Sequence, residues 1–140
     1  MRVFLDANIL FSAAKSAGAV QQLLRNLMAD SHHLVADDYV VTEARRNIAA
    51  KAGPQAVRDL DELLGQVSVG KMQMVAAPEA MSDWLPEKDR PVLQAAIGLG
   101  CDVLVTGDRT HFGPGFGKSY GGVTVYSPAL LAAVLWPVPD

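Results

Sequence analysis

The chain has 140 residues and a mass of 14.9 kDa, with 50% hydrophobic and 19% charged residues and a net charge of −3 at neutral pH. At roughly 100–200 residues per domain this is one domain, spanning 1–140, large enough to bury a core without staples. The composition excludes disorder, and the single cysteine, Cys101, excludes an internal disulfide or a Cys-rich zinc site. The longest apolar run, 129–136, is too short to cross a bilayer, and a negative balance excludes gripping nucleic acid by bulk charge alone. Asp6 interrupts the apolar N-terminus and no cleavage pattern follows, so a reducing, cytoplasmic setting without membrane attachment is expected.

Short β-rich runs alternate with longer helical patterns along the chain. Arg2–Leu5 reads as a strand, followed by a helix from about Ile9. Val20, Leu23, Leu24 and Leu27 fall at helical spacing within Ala19–Ala29. Residues 33–36 form a second strand, after which Asp37 and Asp38 offer N-caps for a helix to about Lys51. Pro54 opens another helix, with Val57, Leu60 and Leu64 on one face. A weak strand is expected over 71–75, a helix over 91–99, and strands over 103–106 and Val123–Tyr126. Pro128 opens a final helix through Leu135. No repeat of 20–50 residues is present. The alternation implies right-handed βαβ crossovers and a mostly parallel sheet covered on both faces. In such sheets ligands sit beyond the carboxyl ends of the strands, so a polar residue that closes a strand is a site candidate.

Four carboxylates stand out. Asp6 directly follows the first strand, and Asp108 follows the 103–106 strand after one glycine. If those strands are neighbours, the two acids converge, although either residue alone is an ordinary loop or cap aspartate. Glu43 falls with Val40, Asn47 and Ala50 at i, i+3, i+7 and i+10, on the border of an apolar stripe. There a carboxylate is expensive unless a cation such as Arg46 pairs with it. Asp89 shares a face with Leu93, Ala96 and Ile97 near a helix start, where backbone N–H groups favour an anion and Arg90 stands beside it. Gathered together, four anions repel and raise one another's pKa, and one or two divalent cations remove that cost. Oxygen ligands without His or Cys select Mg²⁺ or Mn²⁺. Without these four the chain carries 12 basic against 11 acidic residues, so the negative excess fits a local pocket.

Other motifs carry less. Gly117-Lys118-Ser119 ends like a phosphate-binding P-loop, but position 112 is Phe where that motif needs Gly. The glycine-rich stretch 110–122 therefore reads as a mobile loop. His32, His33 and His111 lack zinc spacing. Trp84, Trp136, Met72, Met74 and Met81 read as core or interface, and Cys101 as a small buried apolar residue.

Residues 3–13 (Val-Phe-Leu-Asp-Ala-Asn-Ile-Leu-Phe-Ser-Ala), the pair Thr42-Glu43, the segment 89–108 ending Val-Leu-Val-Thr-Gly-Asp, and the closing Val-Thr-Val-Tyr-Ser-Pro of 123–128 together resemble the PIN domain family. Within it they resemble the VapC-like toxins of bacterial toxin–antitoxin pairs. The resemblance implies a three-layer α/β/α sandwich and a metal-dependent endoribonuclease using one or two Mg²⁺ or Mn²⁺ ions. Carried over by position, Asp6, Glu43, Asp89 and Asp108 are its acidic, metal-binding and catalytic residues. Asp6 and Asp108 are expected nearest the metal, with Asp89 and Glu43 completing the shell. Asn8 and Thr106 fall where the family places polar groups that support the carboxylates. Arg46, Arg90 and Arg109 are the cations best placed for RNA phosphates; each also reads as a solvated partner of the acid beside it, the reading favoured for Arg90, and His111 follows Asp108 closely enough to touch RNA. The resemblance also implies an RNA substrate, a cognate antitoxin and a homodimer. Pro91 and the glycine-rich stretch depart from the pattern.

Two other readings stay open at this level. In one, the domain is catalytically silent and binds protein or RNA, its acids serving structure only. In the other it is a phosphotransfer protein, although Asp6-Ala-Asn8 lacks the second aspartate of a DxD phosphatase and Lys118 is poorly placed for a receiver.

Overall fold

The computed structural model describes residues 1–72, 75 and 78–139. Six strands form one sheet in the order β3-β2-β1-β4-β6-β5. They are β1 (Arg2–Leu5), β2 (His33–Asp37), β3 (Ser68–Gly70), β4 (Val103–Val105), β5 (Ser119–Tyr120) and β6 (Val123–Tyr126). All neighbours run parallel except β5 against β6. Val3, Phe4, Leu5 and the whole of β4 are buried. Consecutive side chains of a strand point to opposite faces, so burial of every one means that both faces are covered. The expected three-layer α/β/α architecture is the one observed.

The helices are α1 (Ala7–Lys15), α2 (Ala19–Ala29), α3 (Asp38–Lys51), α4 (Pro54–Leu64), α5 (Glu79–Ser82), α6 (Arg90–Gly98), α7 (Arg109–Phe112) and α8 (Pro128–Leu135). Helix α1 packs against α2, α3 and α4, whereas α6 packs against β4 and β6. Capping sets several starts. Asp6 accepts the Ala7 N–H, so α1 begins at Ala7 rather than near Ile9. Asp37 accepts the Val40 N–H and opens α3, and Ser127 caps α8 over Pro128. An N-cap of this kind contributes about 1 kcal/mol.

Several expectations are corrected. No strand runs over 71–75 in the residues described there, with 73 and 74 lying outside them. The edge strand sits earlier, at Ser68–Gly70, where it pairs with the end of β2. The buried face of α4 is Ala56 and Leu60, and Val57 is 39% exposed. On α3 the buried stripe is Val40, Ala44 and Ile48, so Ala50 faces solvent. The stretch 110–122 is ordered as α7, a 3-10 turn (Gly113–Gly115) and the β5–β6 hairpin, whose turn glycines Gly121 and Gly122 have positive φ. Trp84 anchors this region between Phe112 and Tyr120. Met81 and Cys101 are buried as expected, whereas Met72 is exposed, and Met74 lies outside the described residues. Burial pushes the Cys101 thiol up to about 11.

Strand order is what creates a site. From β1 the chain turns to β2 on one side and reaches β4 on the other, so the carboxyl end of β1 is the switch point at which open α/β sheets hold ligands.

Candidate active site

Leu5 pairs with Val105, and the Asp6 N–H donates to the Val105 carbonyl at 3.1 Å. Asp6 and Thr106 therefore leave the sheet side by side. The Thr106 hydroxyl donates to Asp6 Oδ2 at 2.7 Å, and Asn8 Nδ2 reaches the same oxygen at 3.4 Å. Asn8 bridges further, donating to Thr106 Oγ1 at 3.3 Å and accepting the Gly107 N–H at 2.8 Å. The Asp108 N–H closes the loop onto Thr106 Oγ1 at 3.2 Å. These bonds tie the two strand ends into one polar knot.

Asp6 is buried, and burial lifts its carboxyl pKa from 3.8 to about 6. The bonds from Thr106 and the Ala7 N–H oppose that rise, whereas the charges of Glu43 and Asp108 add to it. A carboxylate pushed up by burial and by two other acids is one that a cation would relieve.

Asp89 ends a 3-10 turn (Glu87–Asp89) and stands at the N-cap of α6, with Pro91 in the first turn. Proline is at home there because its missing N–H has no intrahelical acceptor. Asp108 caps α7 through the His111 N–H at 3.1 Å. The turn of α7 swings the His111 ring back, so Nδ1 lies 3.1 Å from Asp89 Oδ2 and 3.0 Å from Asp108 Oδ2. Asp89, Asp108 and His111 offer ligand atoms within 4.8 Å of one another.

All four predicted acids, Asp6, Glu43, Asp89 and Asp108, line one cavity of about 280 Å³, together with Asn8, Tyr39, Lys88 and His111. Among the described residues Asp89, Asp108 and His111 form the close group in it; of the pair expected nearest a metal, Asp6 and Asp108, this group includes Asp108. The cations divide. Arg46 borders an adjoining depression that shares Tyr39 and Glu43 with the acid cavity, and it makes no ion pair with Glu43 among the described residues. Arg109 instead lines an apolar depression with Leu23, Pro128 and Ala132. Arg90 turns its Nε to the Leu85 carbonyl at 3.1 Å. Sequence reasoning missed Lys88 and the convergence of His111. The three-residue step from Asp108 to His111, at a capped helix start, was the available signal.

The sequence profile described as PIN domain matches residues 2–110. The chain belongs to the PIN domain family. A comparison with curated proteins finds no match. Among solved structures, the fold is similar to that of the VapBC2 complex of Rickettsia felis bound to a DNA fragment from its promoter, at TM-score 0.64 and 15% identity over 91% of this chain and 98% of that one. It is also similar to Mycobacterium tuberculosis VapC20, described as a sarcin-ricin loop-cleaving toxin, at TM-score 0.58 and 13% identity over 84% and 98%. A third likeness is FitAcB of Neisseria gonorrhoeae, at TM-score 0.55 and 17% identity over 91% and 98%.

Proposed function

We propose that this PIN domain is a metal-dependent endoribonuclease that hydrolyses RNA phosphodiester bonds as the toxin of a toxin–antitoxin pair. The observation that carries the reading is the meeting of four carboxylates, from four separate parts of the chain, around one cavity at the switch point of the sheet. The likeness to VapC20, described as a toxin, supports the toxin role; a cognate antitoxin, a homodimer and a cytoplasmic setting belong to the same reading. Among the described residues no helix is long and apolar enough to cross a membrane.

The residues suit a divalent ion. Burial raises the Asp6 carboxyl, with the charges of Glu43 and Asp108 adding to it, and Asp89 Oδ2 is a buried carboxylate oxygen without a hydrogen bond. Asp6, Glu43, Asp89 and Asp108 would hold Mg²⁺ or Mn²⁺, as one or two ions. Such an ion supplies a water of lowered pKa and a Lewis acid for the phosphate oxygens. The chain's own residues do the positioning. Thr106 and Asn8 fix the orientation of the Asp6 carboxylate through hydrogen bonds to its Oδ2. Lys88 at the cavity and Arg46 beside it meet the phosphate backbone, which positions a strand without reading its sequence.

The test is cleavage of a panel of structured RNAs with Mg²⁺ or Mn²⁺, with chelator, and with Asp6→Asn and Asp108→Asn. Cleavage that needs the ion and is lost in both folded variants supports the reading. Folded wild-type protein that binds the ion and leaves every RNA intact supports a silent binding module instead.

A further inference from the structure

The acid cavity contains one side chain that an all-oxygen centre does not call for. We propose that His111 is a direct ligand of the divalent ion through Nδ1, seated beside one oxygen each of Asp89 and Asp108, and that this nitrogen biases the centre toward Mn²⁺ over Mg²⁺. The inference rests on the metal-dependent reading above and adds to it a ligand and an ion preference.

Distance is the first argument. His111 Nδ1 stands 3.1 Å from Asp89 Oδ2 and 3.0 Å from Asp108 Oδ2. Neighbouring ligands of an octahedral ion with bonds of about 2.1 Å are separated by about 3.0 Å, the bond length times √2. The three groups already have the spacing of a coordination sphere.

The second argument is independent of distance. Asp89 Oδ2 and His111 Nδ1 are both buried, and neither makes a hydrogen bond. They sit 3.1 Å apart, at hydrogen-bonding separation but without hydrogen-bond geometry. Buried polar atoms are almost always satisfied. Two that are not, side by side, leave room for a shared ligand.

Third, the ring is held in place. Asp108 caps α7 through the His111 N–H, and the next residue, Phe112, is fully buried against the Trp84 ring. The backbone that carries His111 is thus fixed to both the site and the core. Mg²⁺ prefers oxygen and keeps its waters, so an imidazole in this position favours a first-row transition ion.

The experiment uses the full chain loaded with Mn²⁺ alone and reads electron spin-echo modulation from ¹⁴N, alongside calorimetric affinities for Mn²⁺ and Mg²⁺. The wild type is expected to show the nitrogen modulation of a bound imidazole. His111→Ala and His111→Gln, each checked for native circular dichroism, are expected to lose it. Both should lose about tenfold or more in Mn²⁺ affinity, with a clearly smaller loss for Mg²⁺. His32→Ala, at a histidine whose Nδ1 instead faces the chain's amino group, should keep the signal. Wild-type protein that binds no Mn²⁺, or binds it without nitrogen modulation, overturns the proposal. So does modulation that persists in both variants, or an equal loss of affinity for both ions, which would mark His111 as a positioning residue. RNA cleavage without nitrogen modulation would sink the ligand and leave the nuclease standing. Modulation without cleavage would do the reverse.

Discussion

The Thr106 hydroxyl donates to the buried Asp6 carboxylate at 2.7 Å across 100 residues of chain. The contact joins the ends of β1 and β4, the strands that also present Asp108. Thr106→Val keeps the shape and removes the donor, and with it the acceptor for the Asn8 amide and the Asp108 N–H. A hydrogen bond to a charged group contributes about 1.5–3 kcal/mol. The variant is expected to lose about 2 kcal/mol in urea unfolding at pH 7.5 and to bind Mn²⁺ about 10–100-fold more weakly. Unchanged stability and affinity would show that the contact orients nothing.

Asp6 predicts a pH dependence of fixed sign. Its carboxyl pKa is raised from 3.8 to about 6, so the folded chain holds that proton more tightly than the unfolded chain does. The stabilisation is complete below the unfolded value and disappears as pH rises through about 6. In chelator, wild-type stability should therefore fall between about pH 4 and 6. Asp6→Asn retains an N-cap side chain and removes this part of the fall. It should be more stable than wild type at pH 7.5 by up to about 3 kcal/mol, yet inactive on RNA. Asp37, also raised by burial, leaves a residual slope of the same sign in both proteins. Parallel stability curves for the two would refute the account.

Lys88 lines the acid cavity directly. Lys88→Gln removes a phosphate contact without touching a carboxylate. Binding should weaken several-fold across RNA sequences alike, and the dependence of log affinity on log salt should flatten by about one unit. Fluorescence anisotropy at three salt concentrations measures both. A variant with wild-type affinity and slope would place the strand elsewhere on the surface.

Gly115 tests the packing beneath the β5–β6 hairpin. A Cβ there would collide with the Trp84 ring, which is wedged against Phe112 and Tyr120. Gly115→Ala should cost about 1–3 kcal/mol by overpacking and shift the tryptophan emission. A melting temperature equal to wild type would mean that the ring has room to move.

Much of the fold was legible because its signals are local. Residues Ala19–Ala29 and Pro128–Leu135 show their helices through apolar spacing and a proline at the first turn. Asp37 announces α3 through a bond three residues long. Failures came where local pattern had no contact to consult. The 68–70 strand depends on pairing with β2 rather than on its own exposed residues, and the glycine-rich stretch is ordered by Trp84, 38 residues upstream of its far end.

The chain by itself determined which acids exist and at which strand and helix ends they stand, since alternation and capping act over three or four residues. Only the tertiary structure decided what those ends meet. Pairing of β1 with β4 brought Asp6 to Thr106, and the turn of α7 sent His111 to Asp89 and Asp108. It also gave Lys88 to the cavity and Arg109 to a different depression. Strand adjacency and the reach of a side chain are set by packing between separate segments of the chain, and no periodicity within one segment encodes that.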